Sequence, residues 1–279
     1  MDKESFIISR FQNNFIGDDA AVIGKWVYSK DLFFEDVHFK RDWFNPYQIA
    51  RKAMLVNISD AIAMNAKPKY ALLGIGIPKN FDLKKIAQLS KGFIETARKY
   101  NIKIIGGDTI SNEKISISIT IIAKKRKHTL YRYGLKEGDI LAYTGILGES
   151  RHELETLLKG GKIASDTRFA KPILRVDFVK LAAKYLRCGL DISDGLSKDL
   201  SRLCILNNLG AEFDKKIDKN TLCSGEEYEM LIAFAPENTD KVLRAAKKTK
   251  TPLTIFAKAC KGEYLSECKE HHFEGQEFE

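Results

Sequence analysis

Apolar and polar positions alternate along this chain with two different periods. The segment 115–123, I-S-I-S-I-T-I-I-A, switches residue by residue, which predicts a half-buried strand with one polar face. Trp26–Phe34 packs aromatic and β-branched residues into a short run, and Tyr70–Ile77 does the same before Pro78 stops it; both read as strands. A short strand at Ile102–Ile105 runs into G-G-D-T. The helical period appears over Pro46–Ala66, with Ile49, Ala53, Val56, Ala61 and Met64 on the pattern. It returns over Asp82–Tyr100, where Asp82 is placed as N-cap. Beyond residue 130 the predicted elements are a strand in I-L-A-Y-T-G, helices at 173–187, 194–208 and 237–248, and strands near 229–235 and 253–259. Helices and strands alternate in both halves, so the class is α/β (α+β). The step G-L-K-E-G-D after the basic run places a boundary near residue 130 and predicts two domains, 1–130 and 131–279.

Composition narrows the picture modestly. With 279 residues there is room for two modest domains. The start of the chain is charged and does not read as a secretory signal, and no run approaches the ~20 apolar residues of a membrane span. A net charge of +9 raises the question of a polyanionic partner. Yet the lysines are scattered, and the one dense run, Lys124–Lys127, lacks interleaved aromatics. Nucleic acid is therefore not expected, and neither is a membrane. The cysteines, at 188, 204, 223, 260 and 268, are odd in number and show no C-x-x-C spacing. That predicts neither a zinc site nor a disulfide framework, and suggests reduced thiols in a cytoplasmic protein.

The informative residues are acids in places where acids are costly. Asp18 and Asp19 stand side by side after Gly17; Asp31 interrupts an apolar strand; Asp60 lies within V-N-I-S-D-A-I-A-M, with Asn57 on the same helical face. Asp108 ends I-I-G-G-D, Asp191 and Asp194 punctuate D-I-S-D-G-L, and Glu226-Glu227 follow Gly225. Each has an ordinary alternative: a tight turn for G-D-D and for Asp108, an N-cap for Asp194. Carboxylates gathered without His or Cys suit a hard cation such as Mg²⁺, and Mg²⁺ beside glycine-rich turns suits phosphates. Neither G-x-x-x-x-G-K-[ST] nor G-x-G-x-x-G is present, so any nucleotide would be held without those cradles.

Taken in order, G-D-D-A-A-V-I, S-K-D with His38-Phe39, V-N-I-S-D-A-I-A-M, I-I-G-G-D-T, D-I-S-D-G-L-x-x-D-L and S-G-E-E-Y-E resemble the thiamine-monophosphate kinase family. Its superfamily includes aminoimidazole ribonucleotide synthetase and selenophosphate synthetase. The resemblance covers residues about 17 to 230. It implies a two-domain fold whose N-terminal sheets pair in a homodimer, with ATP as co-substrate and several Mg²⁺ ions. It implies transfer of a phosphoryl group from ATP to thiamine monophosphate, giving thiamine diphosphate. Position by position, Asp19, Ser29, Lys30, Asp31, Asp60, Asp108, Asp191 and Asp194 match metal sites. Gly107, Asp108, Arg132 and Ser193 match nucleotide contacts; His38 and Glu226 match contacts to the thiamine phosphate. The chain departs from the family pattern at Lys30 (more often Thr), Asn65 (Gly), Glu149 (Asp), Ser224 (Gly) and Glu227 (Asp). A C-terminal Trp that packs on thiamine in the family is missing, and Phe273 is the candidate to replace it. The alternatives are a sister ATP-dependent enzyme with another acceptor and an ATP-binding regulator without activity.

Overall fold

The structure is a computed structural model describing residues 3–11 and 13–268. A short helix α1 (Lys3–Ser9) is followed by β1 (Ala21–Ile23), β2 (Trp26–Phe34), α2 (Pro46–Ala63), β3 (Lys67–Ile77), α3 (Leu83–Lys99), β4 (Lys103–Ser111) and β5 (Ser116–Lys124). These strands form one sheet in the order β1-β2-β5-β3-β4. Its pairs are antiparallel except β3–β4, which run parallel because α3 carries the chain back between them. The strict alternation in 115–123 is realised as β5: Ile117, Ile119, Ile121 and Ala123 are fully buried, and Ser116, Ser118 and Thr120 face outward.

The second sheet, β7-β9-β6-β10-β8, is built from β6 (Ile140–Thr144), β7 (Cys188–Asp191), β8 (Gly210–Phe213), β9 (Met230–Phe234) and β10 (Leu253–Cys260). All its pairs are antiparallel. Around it lie α4 (Glu149–Leu158), α5 (Val176–Ala182), α6 (Leu196–Asn207), α7 (Lys219–Cys223) and α8 (Thr239–Lys248).

Helix α2 is the centre of the molecule. Its start is a capping box: Asn45 Oδ1 accepts from Gln48 N and Gln48 Oε1 accepts from Asn45 N, each at 2.9 Å, with Pro46 in the first turn. Thirteen of its 18 residues are buried, because the first sheet, α3, α5 and β7 all pack against it. Three of its polar residues, Lys52, Asn57 and Ser59, are inside as well.

Two expectations are corrected here. The short strand at Ile102–Ile105 continues as β4 through G-G-D-T, so Gly107 and Asp108 lie within a strand rather than after it. A Cβ on Gly107 would fall 1.8 Å from Leu73 O, so only glycine lets β4 lie against β3 here. The thiols are not all free, since Cys223 is bonded to Cys268 across 45 residues, with Cα atoms 5.5 Å apart. That proximity comes from the fold and leaves no trace in the spacing of cysteines. Cys188, Cys204 and Cys260 are free thiols. Among the described residues, no helix is long and apolar enough to cross a membrane.

Candidate active site

Four aspartates from four different segments gather where α2 meets both sheets. Asp19 comes from the turn before β1, Asp31 from β2, Asp60 from α2 and Asp191 from the end of β7. Asn57, one turn before Asp60, organises the strand side: its Oδ1 accepts from Asp31 N at 3.0 Å, and its carbonyl accepts from Ser29 Oγ at 3.3 Å. Ser59 reaches the other half of the chain and donates to Asp191 Oδ2.

Crowding shows in the proton affinities. Burial raises the Asp60 carboxyl well above its usual range, and repulsion from Asp31, Asp191 and Asp19 raises it further. Asp191 is raised in the same way by burial and by Asp19, with the Ser59 hydrogen bond working against it. Asp19 is buried and raised, although Arg132 counteracts the effect: its Nε donates to Asp19 Oδ1 at 2.8 Å, and a second guanidinium nitrogen donates to the same oxygen. Burial disfavours the Arg132 cation, but Asp19 outweighs that and holds it charged. Among the described residues, Asp19 Oδ2 is buried with no hydrogen-bond partner. A buried carboxylate oxygen left unpartnered among raised acids is what a hard divalent cation would fit. Among the described residues, no three such side chains already converge in metal-holding geometry.

The D-I-S-D-G-L segment forms the adjoining wall. Asp199 Oδ2 accepts from the backbone N–H groups of Ser193 and Asp194, both at 3.1 Å. Arg202 bridges Asp194 at 2.5 Å and Asp199 at 2.9 Å. The S-G-E-E-Y loop is pinned to it: Glu226 N donates to Ser193 O, and Tyr228 N to Ile192 O. His38 returns toward β2, its Nδ1 accepting from Phe34 N at 3.0 Å and its ring 5.3 Å from that of Phe33. Beside the Glu226 loop, a cavity of about 550 Å³ opens between the start of α4 and residues 166–168, lined by Glu149, His152, Glu153, Asp166 and Arg168.

Not every candidate belongs to this cluster. Lys30 points to the opposite face of β2, where its ammonium donates to Ser118 Oγ at 2.6 Å. Asp108 pairs with Gly74, which pairs with Ser118, so it also stands on the outer face, away from Asp31 and Asp60. Phe273 lies outside the described residues.

The model for the AIR synthase related protein N-terminal domain matches residues 17–124, and that for the AIR synthase related protein C-terminal domain matches 136–266. The thiamine-monophosphate kinase of Buchnera aphidicola subsp. Schizaphis graminum is 34% identical over 262 residues, covering 84% of this chain and 80% of that protein. The chain belongs to the thiamine-monophosphate kinase family. The corresponding enzyme of Aquifex aeolicus is 29% identical, covering 83% of this chain and 84% of that one. A solved structure of AaThiL complexed with AMPPCP and TMP superimposes with a TM-score of 0.82 at 25% identity, covering 99% of this chain and 93% of that one. The E. coli hydrogenase maturation protein HypE shares the fold, with a TM-score of 0.72 at 16% identity.

Several departures from the family pattern have local physical uses. Asn65 sits at φ 53°, a conformation open to glycine and tolerated by asparagine, and its Nδ2 donates to His128 O. Glu227 and Ser224 are bonded to each other at 2.6 Å, and Glu227 Oε1 also accepts from Gly148 N at the start of α4. Sequence reasoning passed over Lys52, Ser59 and Arg202. Lys52 carried the same signal as Asp60, a charge inside an apolar helical run.

Proposed function

We propose that the chain transfers the γ-phosphoryl group of ATP directly to the phosphate of thiamine monophosphate, in line, giving ADP and thiamine diphosphate. The observation that carries the reading is the convergence of Asp19, Asp31, Asp60 and Asp191 beside Arg132 in a member of this family. The acceptor is itself a phosphate with a second pKa of about 6, largely dianionic at neutral pH, so the chain need supply no general base. This agrees with His38, whose Nδ1 is already occupied as an acceptor. In the transfer the γ-phosphorus–oxygen bond to ADP breaks and a bond to an oxygen of the acceptor phosphate forms.

The obstacle is charge. Two unit charges 4 Å apart repel by about 4 kcal/mol at an effective dielectric of 20. Mg²⁺, held by Asp19, Asp31, Asp60 and Asp191 with Ser29 and Asp194 adjoining, would offset that repulsion when bound. Arg132 adds a fixed positive charge, while Gly107 and Ser193 offer backbone to the nucleotide and His38 and Glu226 orient the acceptor.

The reading includes a homodimer. Leu32 and Leu72 are half-exposed on the outer face of the first sheet, in two adjacent rows, Leu32 in that of Asp108 and Leu72 in that of Lys30. A second copy on this face would cover them and bring Asp108 toward its own aspartate cluster. It also assigns the metal-rich half to residues 1–130 and the supporting half to 131–279, and, as ATP is a cytoplasmic co-substrate, a cytoplasmic setting.

The test is turnover with ATP and Mg²⁺, with and without thiamine monophosphate, followed by chromatography. ADP and thiamine diphosphate forming in equal amounts is the expected result. ADP without the second product would mean hydrolysis or another acceptor, and no ADP would leave an ATP-binding regulator.

A further inference from the structure

Lys52 lies in α2 with no exposed surface. Its ammonium sits 3.3 Å from the centroid of the Phe169 ring, with the rings of Phe44 and Phe33 at 5.8 and 5.9 Å. Among the described residues its one direct anionic partner is Glu226, reached at Oε2 at 2.5 Å across 174 residues of sequence. A second carboxylate, Glu153, acts on it from α4 and fixes the cage by accepting from Phe169 N at 2.7 Å. Burial pushes the Lys52 proton affinity down, and both carboxylates resist that.

Stability does not explain this residue. A cation removed from water is costly even when paired, and an apolar side chain of similar length would fill the same aromatic cage at lower cost. What Lys52 does, and Met or Leu could not, is hold a carboxylate. Among the described residues Glu226 is otherwise held through its backbone: its N–H donates to Ser193 O, its carbonyl accepts from Ser150 Oγ, and its φ is 55°. The Phe33 ring that faces Lys52 also supports His38 on its other contact, at 5.3 Å. One buried ammonium therefore stands behind both His38 and Glu226. Along α2 it is eight residues from Asp60, about 12 Å at the helical rise.

We propose that Lys52 is a positioning residue for the acceptor, holding the Glu226 carboxylate in place through a cation set in the Phe33–Phe44–Phe169 cage; this rests on the kinase reading above. Lys52 touches neither substrate. It acts through Glu226 and leaves the nucleotide end of the site alone.

The experiment compares the wild type with K52M, K52R, E226Q and the K52M/E226Q double variant in steady-state turnover, with thermal unfolding alongside. K52M is expected to raise KM for thiamine monophosphate about tenfold while KM for ATP stays within about twofold. E226Q is expected to do the same, and the double variant to be no worse than E226Q, because the two residues act as one unit. An unchanged acceptor KM in K52M, an equal rise in both KM values, or effects that multiply in the double variant would each overturn the inference. Should K52M fail to fold, K52R keeps the charge but sets a broad guanidinium where a compact ammonium fits. A several-fold rise in acceptor KM alone supports the inference, and a wild-type value overturns it. A wild-type enzyme that makes no thiamine diphosphate would overturn the kinase reading itself, an outcome visible before any variant is compared.

Discussion

Asp60 illustrates what the proposed metal site would cost the fold. Burial and three neighbouring carboxylates raise its proton affinity, so keeping it ionised opposes folding unless a cation is present. D60N should therefore raise the melting temperature measured in EDTA, abolish the further rise that Mg²⁺ gives the wild type, and lower turnover by at least ~100-fold. An unchanged Mg²⁺-dependent shift in D60N would count against its role as a ligand. Asp18 gives a related pH effect. It accepts from Arg132 N, and burial raises it from 3.8 to about 6. A carboxyl whose folded value exceeds its unfolded one stabilises while protonated, so its contribution is present below about 4 and disappears as pH climbs through 6. In EDTA, wild-type stability should fall across that window, and D18N should fall less. At this scale much of the candidate cluster was legible from sequence, because a charge surrounded by apolar residues is conspicuous. The partners of those charges were not: Arg132 meets Asp19 across 113 residues and Ser59 meets Asp191 across 132, distances that no local pattern encodes.

Elements were read best where one face decides them. Trp26–Phe34 is found as a strand with those same ends, and Asp82 caps α3 by accepting from Lys85 N at 2.8 Å. Short pieces such as β1, β8 and α7 escaped because three to five residues carry too little period to register. The G-G-D segment misled because glycines that signal a turn also permit two backbones to touch. G107A should separate β4 from β3 and cost about 2–4 kcal/mol, read as a fall in unfolding midpoint. The Cys223–Cys268 bond ties the end of α7 to the segment after β10, closing 45 residues. Loop entropy alone assigns it about 4 kcal/mol. C223S and C268S should each lose stability by up to that amount, and reduction of the wild type should reproduce the loss; equal midpoints with and without reductant would show the bond to be energetically idle.

At the scale of the whole molecule, Asp108 stands on the outer face of the first sheet, apart from the acids it accompanies in sequence. If a partner copy completes the site, D60N and D108N each lack activity alone but should recover on mixing. Half of randomly reassorted dimers are mixed and each holds one intact site, so roughly a quarter of wild-type turnover is expected. No recovery, with dimer exchange verified by sedimentation of tagged chains, would place Asp108 in its own subunit's site or outside any site.

The central position of α2 has a consequence for how the protein is made. Lys52 leaves the ribosome with its aromatic neighbours Phe33 and Phe44 already synthesised, but Glu226 follows 174 residues later. At about 5–20 residues per second, that is a delay of roughly 10–35 s, during which the nascent chain carries an apolar helix with an unneutralised charge and no second half to cover it. For that interval the helix that organises the finished enzyme lacks the carboxylate that pairs with its buried charge.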